Sequence, residues 1–137
     1  RLILSRGWAN LGLGQPPEGV LLIDAAPHAL LFPRVAAVLH HGGAGTTITA
    51  ARAGVPQVVV PHLMDQHYFG ARVHGLGVAA RPLARTRLSA ERLAAALQQA
   101  LAPETVARAR TLAGELRPPL SFGELLPLLP QRFCVRG

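Results

Sequence analysis

The segment HHGGAGTT at residues 40–47 carries the clearest chemistry in this chain. It follows an apolar run at 35–39, which predicts a buried strand, and it leads into a helical pattern that ends at Gly54. Glycines allow the backbone to approach a ligand closely, and the first N–H groups of a helix are free to bind an anion. The segment therefore predicts an anion site, and phosphate is the anion most often found at such a turn.

The turn by itself leaves a structural interpretation open. No Lys follows the glycines, as a P-loop requires, and no third glycine follows Gly43 and Gly45, as the dinucleotide fingerprint requires. Thr46 and Thr47 could simply cap the helix after a tight turn. The paired histidines and the segments downstream of Gly54 favour the phosphate interpretation.

Short apolar runs alternate with helical patterns, which predicts an α/β domain with a Rossmann-like parallel sheet and flanking helices. Continuous apolar runs such as VVV at 58–60 fit strands that are buried on both faces. The predicted strands are 2–4, 20–23, 36–39, 57–60 and 78–80. The predicted helices are 29–32, 46–53, 66–74, 89–101 and 103–116, with Ser89 as an N-cap and Pro103 in the first turn.

The two ends of the sequence differ from the middle. After Arg117 the helical pattern degrades, so we expect one domain at 1–117 and an irregular Pro-rich tail at 118–137. The chain opens on RLILS, with no Met and no pattern of a signal peptide. This favours a piece of a longer protein.

Composition excludes several classes of protein. The net charge is +7, but the 14 basic residues are scattered arginines and aromatics make up only 4%, so nucleic-acid binding is disfavoured. The charge suits binding of a nucleotide diphosphate. The single Cys134 excludes an intrachain disulfide and suggests a reducing compartment, so we expect a cytoplasmic protein. No apolar run is long enough to span a membrane. His40 and His41 lack further ligands at metal spacing, so we expect neither a metal nor a cofactor.

Other segments accompany this turn in a fixed order. They are SRGW at 5–8, PHALL at 27–31, RAGVPQVVVP at 52–61, DQ at 65–66, RV at 72–73 and GLGV at 75–78. Over residues 1–116 the series resembles the donor-nucleotide half of family 1 glycosyltransferases of the GT-B fold. The sterol-glucosyltransferase-like and bacterial natural-product enzymes are the most similar variants.

The resemblance implies roles for individual residues. The contacts to the donor diphosphate would be His41, Gly43, Gly45, Thr46 and Thr47. The hydroxyls of the transferred sugar would meet Asp65 and Gln66, although Asp65 could equally be the N-cap of the following helix. The nucleobase side would be Ala26, Pro27 and His28, and the pocket would also be lined by Ser5 and Trp8, although a core position for Trp8 fits as well.

Two positions depart from the pattern of the family. Plant relatives stack an aromatic side chain near residues 26–28, where this chain has no Trp. Some relatives place a Glu on the ribose about eight residues beyond the His, where this chain has Thr49. Base stacking and ribose recognition are therefore open.

The function implied is transfer of a sugar from a UDP- or TDP-sugar to a hydroxyl of a lipid-like or natural-product acceptor, without metal. The catalytic base would lie in a missing N-terminal domain, so this half contains no catalytic residue and would be inactive alone. A lipid acceptor could bring the enzyme to a membrane surface. The alternatives are a nucleotide-sugar epimerase or hydrolase of the same fold, and a truncated or degenerate fragment that only binds nucleotide or has no function.

Overall fold

The computed structural model describes residues 1–6, 15–118 and 121–128. Its strands run parallel and pair two by two. Strand β1 (Leu2–Ser5) pairs with β2 (Val20–Ile23), and β3 (Val38–His40) pairs with β4 (Gln57–Val59). In the second pair Leu39 lies opposite Val58, and Ala79 adds a single parallel bridge to Gln57.

Helices follow the strands along the chain. They are α1 (His28–Leu31), α2 (Ala44–Arg52), α3 (Asp65–Gly75), α4 (Ala90–Ala100), α5 (Pro103–Glu115) and α6 (Phe122–Leu125). Short 3₁₀ turns lie at Phe32–Arg34, Arg85–Arg87 and Leu126–Leu128. Within the described ranges no helix is both long and apolar enough to cross a membrane.

The predicted α/β class with parallel strands is confirmed, and its central strand is buried as predicted. Val58 and Val59 are both fully buried. Val58 packs in a cluster with Ala96 and Ala100 of α4, whereas Val59 packs in a cluster that includes Val73 of α3. Both faces of β4 are therefore covered by helices, which is why the strand has no exposed side.

The predicted strand at 78–80 is reduced to one bridge. The amide of Gln57 donates to the Val78 carbonyl and the amide of Ala80 donates to the Gln57 carbonyl. The next amide, that of Arg81, donates to the side chain of Gln99 instead, and Pro82 has no N–H. Pro82 therefore cannot continue the ladder, and the Leu83 amide donates to the Val59 carbonyl in its place, at 2.9 Å.

Two predicted boundaries also differ. Helix α2 begins at Ala44, two residues before the predicted start, because Gly43 and not a threonine is the N-cap. The segment predicted as an irregular tail contains the short helix α6. In contrast, the caps of the later helices are confirmed: the Ser89 hydroxyl accepts a hydrogen bond from the Arg92 amide, and Pro103 begins α5.

Gly42, in the turn after β3, packs against the start of α3. Its φ is +95°, in the region that favours glycine. A Cβ there would lie 2.8 Å from Cγ1 of Val59 and 2.9 Å from the carbonyl oxygen of Gln66. The turn is therefore pressed against both the central strand and the first residues of α3.

We expect Gly42→Ala to lower the free energy of unfolding by on the order of 1–3 kcal/mol or more, because backbone strain and a backbone clash add. Gly45→Ala is the matched control in the same turn, because no atom lies within 4 Å of its Cβ position. Urea unfolding of both variants checks this. Equal stability of Gly42→Ala and Gly45→Ala would contradict the packing described.

Candidate functional site

The start of α2 presents unsatisfied backbone donors. Its N-cap is Gly43, and no side chain caps it. The first helical hydrogen bond is donated by the amide of Thr47 to the carbonyl of Gly43. The amides of Ala44, Gly45 and Thr46 precede that bond and have no partner inside the helix. Together with the helix dipole they give this end of α2 the partial positive charge that suits an anion.

The imidazole of His41 lies over this helix start. Its Nε2 atom is 2.6 Å from the position that a Cβ on Gly43 would occupy. The absence of a side chain at Gly43 therefore makes room for the ring. Gly45 differs, because it is exposed and a Cβ there would meet open space. Its lack of a side chain serves no contact within the described protein and leaves the helix start accessible.

The two threonines that follow have different surroundings. Thr47 is buried, and its hydroxyl donates to the Gly43 carbonyl at 2.9 Å. Thr49 does the same toward Gly45, at 2.8 Å. Thr46 is half-buried, and among the described residues its hydroxyl has no hydrogen-bond partner. The structure thus leaves the Thr46 hydroxyl available to a ligand and engages that of Thr47 inside the helix.

A buried polar network supports the turn from behind. The Gly42 amide donates to Nδ1 of His40 at 3.0 Å, and Nε2 of His40 lies 2.9 Å from Oε1 of Gln57. Because Nδ1 accepts, the proton is on Nε2, which donates to Gln57. The amide nitrogen of Gln57, a fully buried residue, donates to the Thr47 carbonyl at 3.4 Å. The network joins two strands, the turn and α2.

The sequence analysis did not assign this role to His40 or Gln57. The available signal was a glutamine inside an apolar run, in a strand predicted to be buried on both faces. A buried amide must find hydrogen-bond partners, so such a glutamine indicates a polar neighbour on the adjacent strand.

Burial lowers the pKa of His40 from 6.5 to about 4. The hydrogen bond to Gln57 acts in the opposite direction, and the nearby His41 and His28 lower the pKa further. His40 is therefore neutral in the folded chain at neutral pH.

Asp65 and Gln66 begin α3, next to the turn. The N-cap is Met64, so the alternative that Asp65 caps this helix is wrong. Asp65 is exposed, and no hydrogen bond or ion pair engages its carboxylate within the described ranges. Oε1 of Gln66 accepts from the amides of His62 and Leu63, at 2.8 and 3.0 Å. The amide NH₂ of Gln66 thus remains as a donor.

Met64 has a strained backbone. Its φ of 45° makes it the only non-glycine residue with a positive φ in the part of the chain described. Such a conformation costs on the order of 1–3 kcal/mol and is typical of functional sites. The strain turns the chain into α3 so that Asp65 follows directly in its first turn.

Four further predicted residues lie at or just beyond the ends of β1 and β2, namely Ser5, Ala26, Pro27 and His28. The ring of His28 stacks on Phe32, with centroids 4.6 Å apart and an interplanar angle of 14°. Pro27 is the N-cap of α1 and is exposed, as is His28, whereas Ala26 is half-buried. The Ser5 hydroxyl donates to the Asp24 carbonyl at 3.4 Å. Trp8 lies outside the described residues, so its pocket role stays a prediction.

The sequence of this chain matches a known family over residues 6–118, described as the C-terminal domain of the erythromycin biosynthesis protein CIII-like proteins. The chain belongs to this family. Curated relatives agree. The vancomycin aglycone glucosyltransferase of Amycolatopsis orientalis is 49% identical over 120 residues, which cover 85% of the chain and 28% of the relative. Sterol 3-beta-glucosyltransferase UGT80B1 of Arabidopsis thaliana is 41% identical over 115 residues, covering 82% and 19%.

Solved structures also resemble this family member. The glycotransferase of kitacinnamycin has a TM-score of 0.74 and 30% identity, covering 83% of this chain and 30% of that one. The glycosyltransferase VinC, solved in complex with DTDP, has a TM-score of 0.68 and 36% identity, covering 74% and 26%. The chain spans less than a third of the length of these relatives. The resemblance to GT-B glycosyltransferases is confirmed.

These comparisons bear on the alternatives. The relatives carry the names of sugar-transferring enzymes, which disfavours an epimerase and a degenerate fragment. Within the described ranges no group of three or more His, Cys, Asp or Glu side chains is placed to hold a metal. The roles assigned to individual site residues, and the expectation of metal-free binding, stay predictions.

The lowered pKa of His40 predicts a pH-dependent stability. The pKa of His40 is 6.5 in the unfolded chain and about 4 in the folded chain, so the unfolded chain takes up the proton first as the pH falls. The contribution of neutral His40 to the free energy of unfolding is therefore fully present above pH 6.5 and is lost as the pH falls to 4. Its size is roughly 3 kcal/mol. Urea unfolding at pH 7.5 and at about pH 4 measures the difference, with His40→Asn as the reference. An equally large difference in His40→Asn would contradict this assignment.

Proposed function

We propose that this domain binds the nucleotide diphosphate sugar of a glycosyltransferase, with the diphosphate at the start of α2. The observation that carries the proposal is the uncapped helix start with Nε2 of His41 over Gly43. Three free amides, one imidazole and an unengaged Thr46 hydroxyl converge there. A diphosphate carries enough acceptor oxygens to use all of them.

The chemistry at this end is stabilisation of a leaving group. In transfer, the bond between the anomeric carbon and the β-phosphate oxygen breaks, and negative charge develops on that phosphate. Preorganised N–H donors that meet developing charge lower the barrier, and one well-placed donor is worth on the order of 3 kcal/mol. The amides of α2 and the His41 ring supply such donors without a metal.

The sugar would lie toward the start of α3. The Asp65 carboxylate can accept two hydroxyl hydrogen bonds. Because Oε1 of Gln66 is engaged by the backbone, Gln66 would act toward the sugar as a donor only. The contact of the turn with the Gln66 backbone brings these two groups next to the diphosphate site.

The nucleobase would lie toward residues 26–28, beside the exposed His28, whose ring stacks on the buried Phe32. A thymidine donor is supported by the DTDP complex of VinC, and a uridine donor is the other possibility that the family resemblance implies. The names of the relatives, a vancomycin aglycone glucosyltransferase and a sterol glucosyltransferase, support a natural-product or lipid-like acceptor. Leu63 and Met64, 65% and 88% exposed, offer apolar surface beside Asp65.

A base that takes the proton of the acceptor hydroxyl would come from an N-terminal domain, so this domain alone would not catalyse transfer. A lipid acceptor would bring the enzyme to a membrane surface.

Calorimetry with UDP, TDP and their glucose conjugates, in the presence of a chelator, tests the proposal. We expect at least one nucleotide pair to bind without metal. His41→Ala should weaken the binding of the nucleotide and of the nucleotide sugar alike, by about tenfold, because both ligands carry the diphosphate. Asp65→Ala should weaken the nucleotide sugar by about tenfold and the bare nucleotide by less than twofold, because only the former has sugar hydroxyls.

Glu104→Ala is the matched control, because Glu104 is an exposed acid in the first turn of α5, as Asp65 is in α3. It should change neither affinity. A strict requirement for magnesium would refute metal-free binding. Equal losses of both ligands in Asp65→Ala would refute the sugar assignment.

A further inference from the structure

The polar network described above lies behind the anion-binding turn. It runs from the Gly42 amide to His40, from His40 to Gln57, and from Gln57 to the Thr47 carbonyl. Gln57 is fully buried and Thr47 is 3% exposed, whereas His40 is half-buried and both of its ring nitrogens are engaged. Because their polar atoms are engaged, these side chains act on a ligand through the backbone that they hold.

Each end of this hydrogen-bond network fixes a different part of the site. At one end the imidazole holds the amide of Gly42, the residue with φ of +95°. At the other end Gln57 holds the first turn of α2 through Thr47, whose own hydroxyl and amide both bond to the Gly43 carbonyl. The residues between the two anchors are those whose amides point outward.

We propose that His40 and Gln57 are positioning residues for the diphosphate site, which set the angle between the Gly42–Gly43 turn and the start of α2. This rests on the proposed function, because the site that they position is the donor site. They touch no substrate. They act by making the free amides of Ala44, Gly45 and Thr46 converge before a ligand arrives.

The geometry requires a neutral imidazole with its proton on Nε2. Nδ1 must accept from Gly42 while Nε2 donates to Gln57. A second proton on Nδ1 would place two N–H groups opposite each other and remove the acceptor that holds Gly42. A leucine at position 40 has no acceptor at all, whereas the side-chain oxygen of an asparagine can still accept from the Gly42 amide.

The test compares His40→Asn, His40→Leu and Gln57→Met in the chain of 137 residues. UDP-glucose and TDP-glucose are titrated by calorimetry, and the Gly42 amide is followed by NMR hydrogen exchange. We expect His40→Leu and Gln57→Met to weaken the binding of the nucleotide sugar by about tenfold. His40→Asn should stay within about threefold of the parent chain, because the hydrogen bond to Gly42 is kept. Protection of the Gly42 amide should follow the same order.

His74→Asn is the matched control. His74 is a half-buried histidine whose Nδ1 lies 3.1 Å from the Ala79 carbonyl, near the far end of α3. Its replacement should lower stability without changing affinity. If the loss of affinity only follows the loss of stability across all four variants, the positioning role is refuted.

The two proposals fail differently. A parent chain that binds neither nucleotide sugar refutes the proposed function. A Gly42 amide that exchanges equally fast in the parent chain and in His40→Leu refutes the positioning role, whatever the affinity. Equal affinities of His40→Leu and His40→Asn in a parent chain that binds would refute it as well.

Discussion

The uncapped first turn of α2 is the constraint on which the rest of the site depends. A Ser, Thr, Asp or Asn at the N-cap would accept an orphan N–H and would stabilise the helix by roughly a few tenths of a kcal/mol relative to glycine. Here Gly43 occupies that position and no side chain caps the helix. The fold thus keeps three backbone donors free, and the neighbouring elements hold them in place. An anion is the ligand that such an arrangement fits.

The three glycines of the turn illustrate how closely the neighbours control this helix start. Gly42 has no side chain because the central strand and the backbone of α3 lie against it. Gly43 has none because the His41 ring lies over it, and Gly45 has none although space is open. Only the missing side chain of Gly45 has no packing reason in the described protein. Glycine inside a helix costs roughly 0.5–1 kcal/mol relative to alanine, so an open glycine at this position is consistent with selection for access.

Sequence patterns predicted the parallel α/β fold and the place of the turn, because apolar runs and glycines are local signals. They also predicted the Ser89 cap and the start of α5. They did not predict the N-cap at Gly43, since the threonines match the usual capping residues and the glycine acts only through its backbone. The role of Thr47 also depended on burial, which the motif alone does not show. The His40–Gln57 pair was missed because it joins two strands that are distant in sequence. The ladder at Ala79 ends early because Pro82 has no N–H, which the sequence does show, whereas the bond from the Arg81 amide to Gln99 is a tertiary effect.

The most direct test of the central claim is an NMR titration of the ¹⁵N-labelled chain with TDP and a chelator. The account predicts that the largest shifts fall on the amides of Gly45 and Thr46, in the direction expected for new hydrogen bonds. The start of α5 is an internal control, because Ala102 also leaves it without a side-chain cap but no His or glycine turn accompanies it. The amides of Glu104 and Thr105 should not move. Equal shifts at the two helix starts, or the largest shifts elsewhere, would contradict the account.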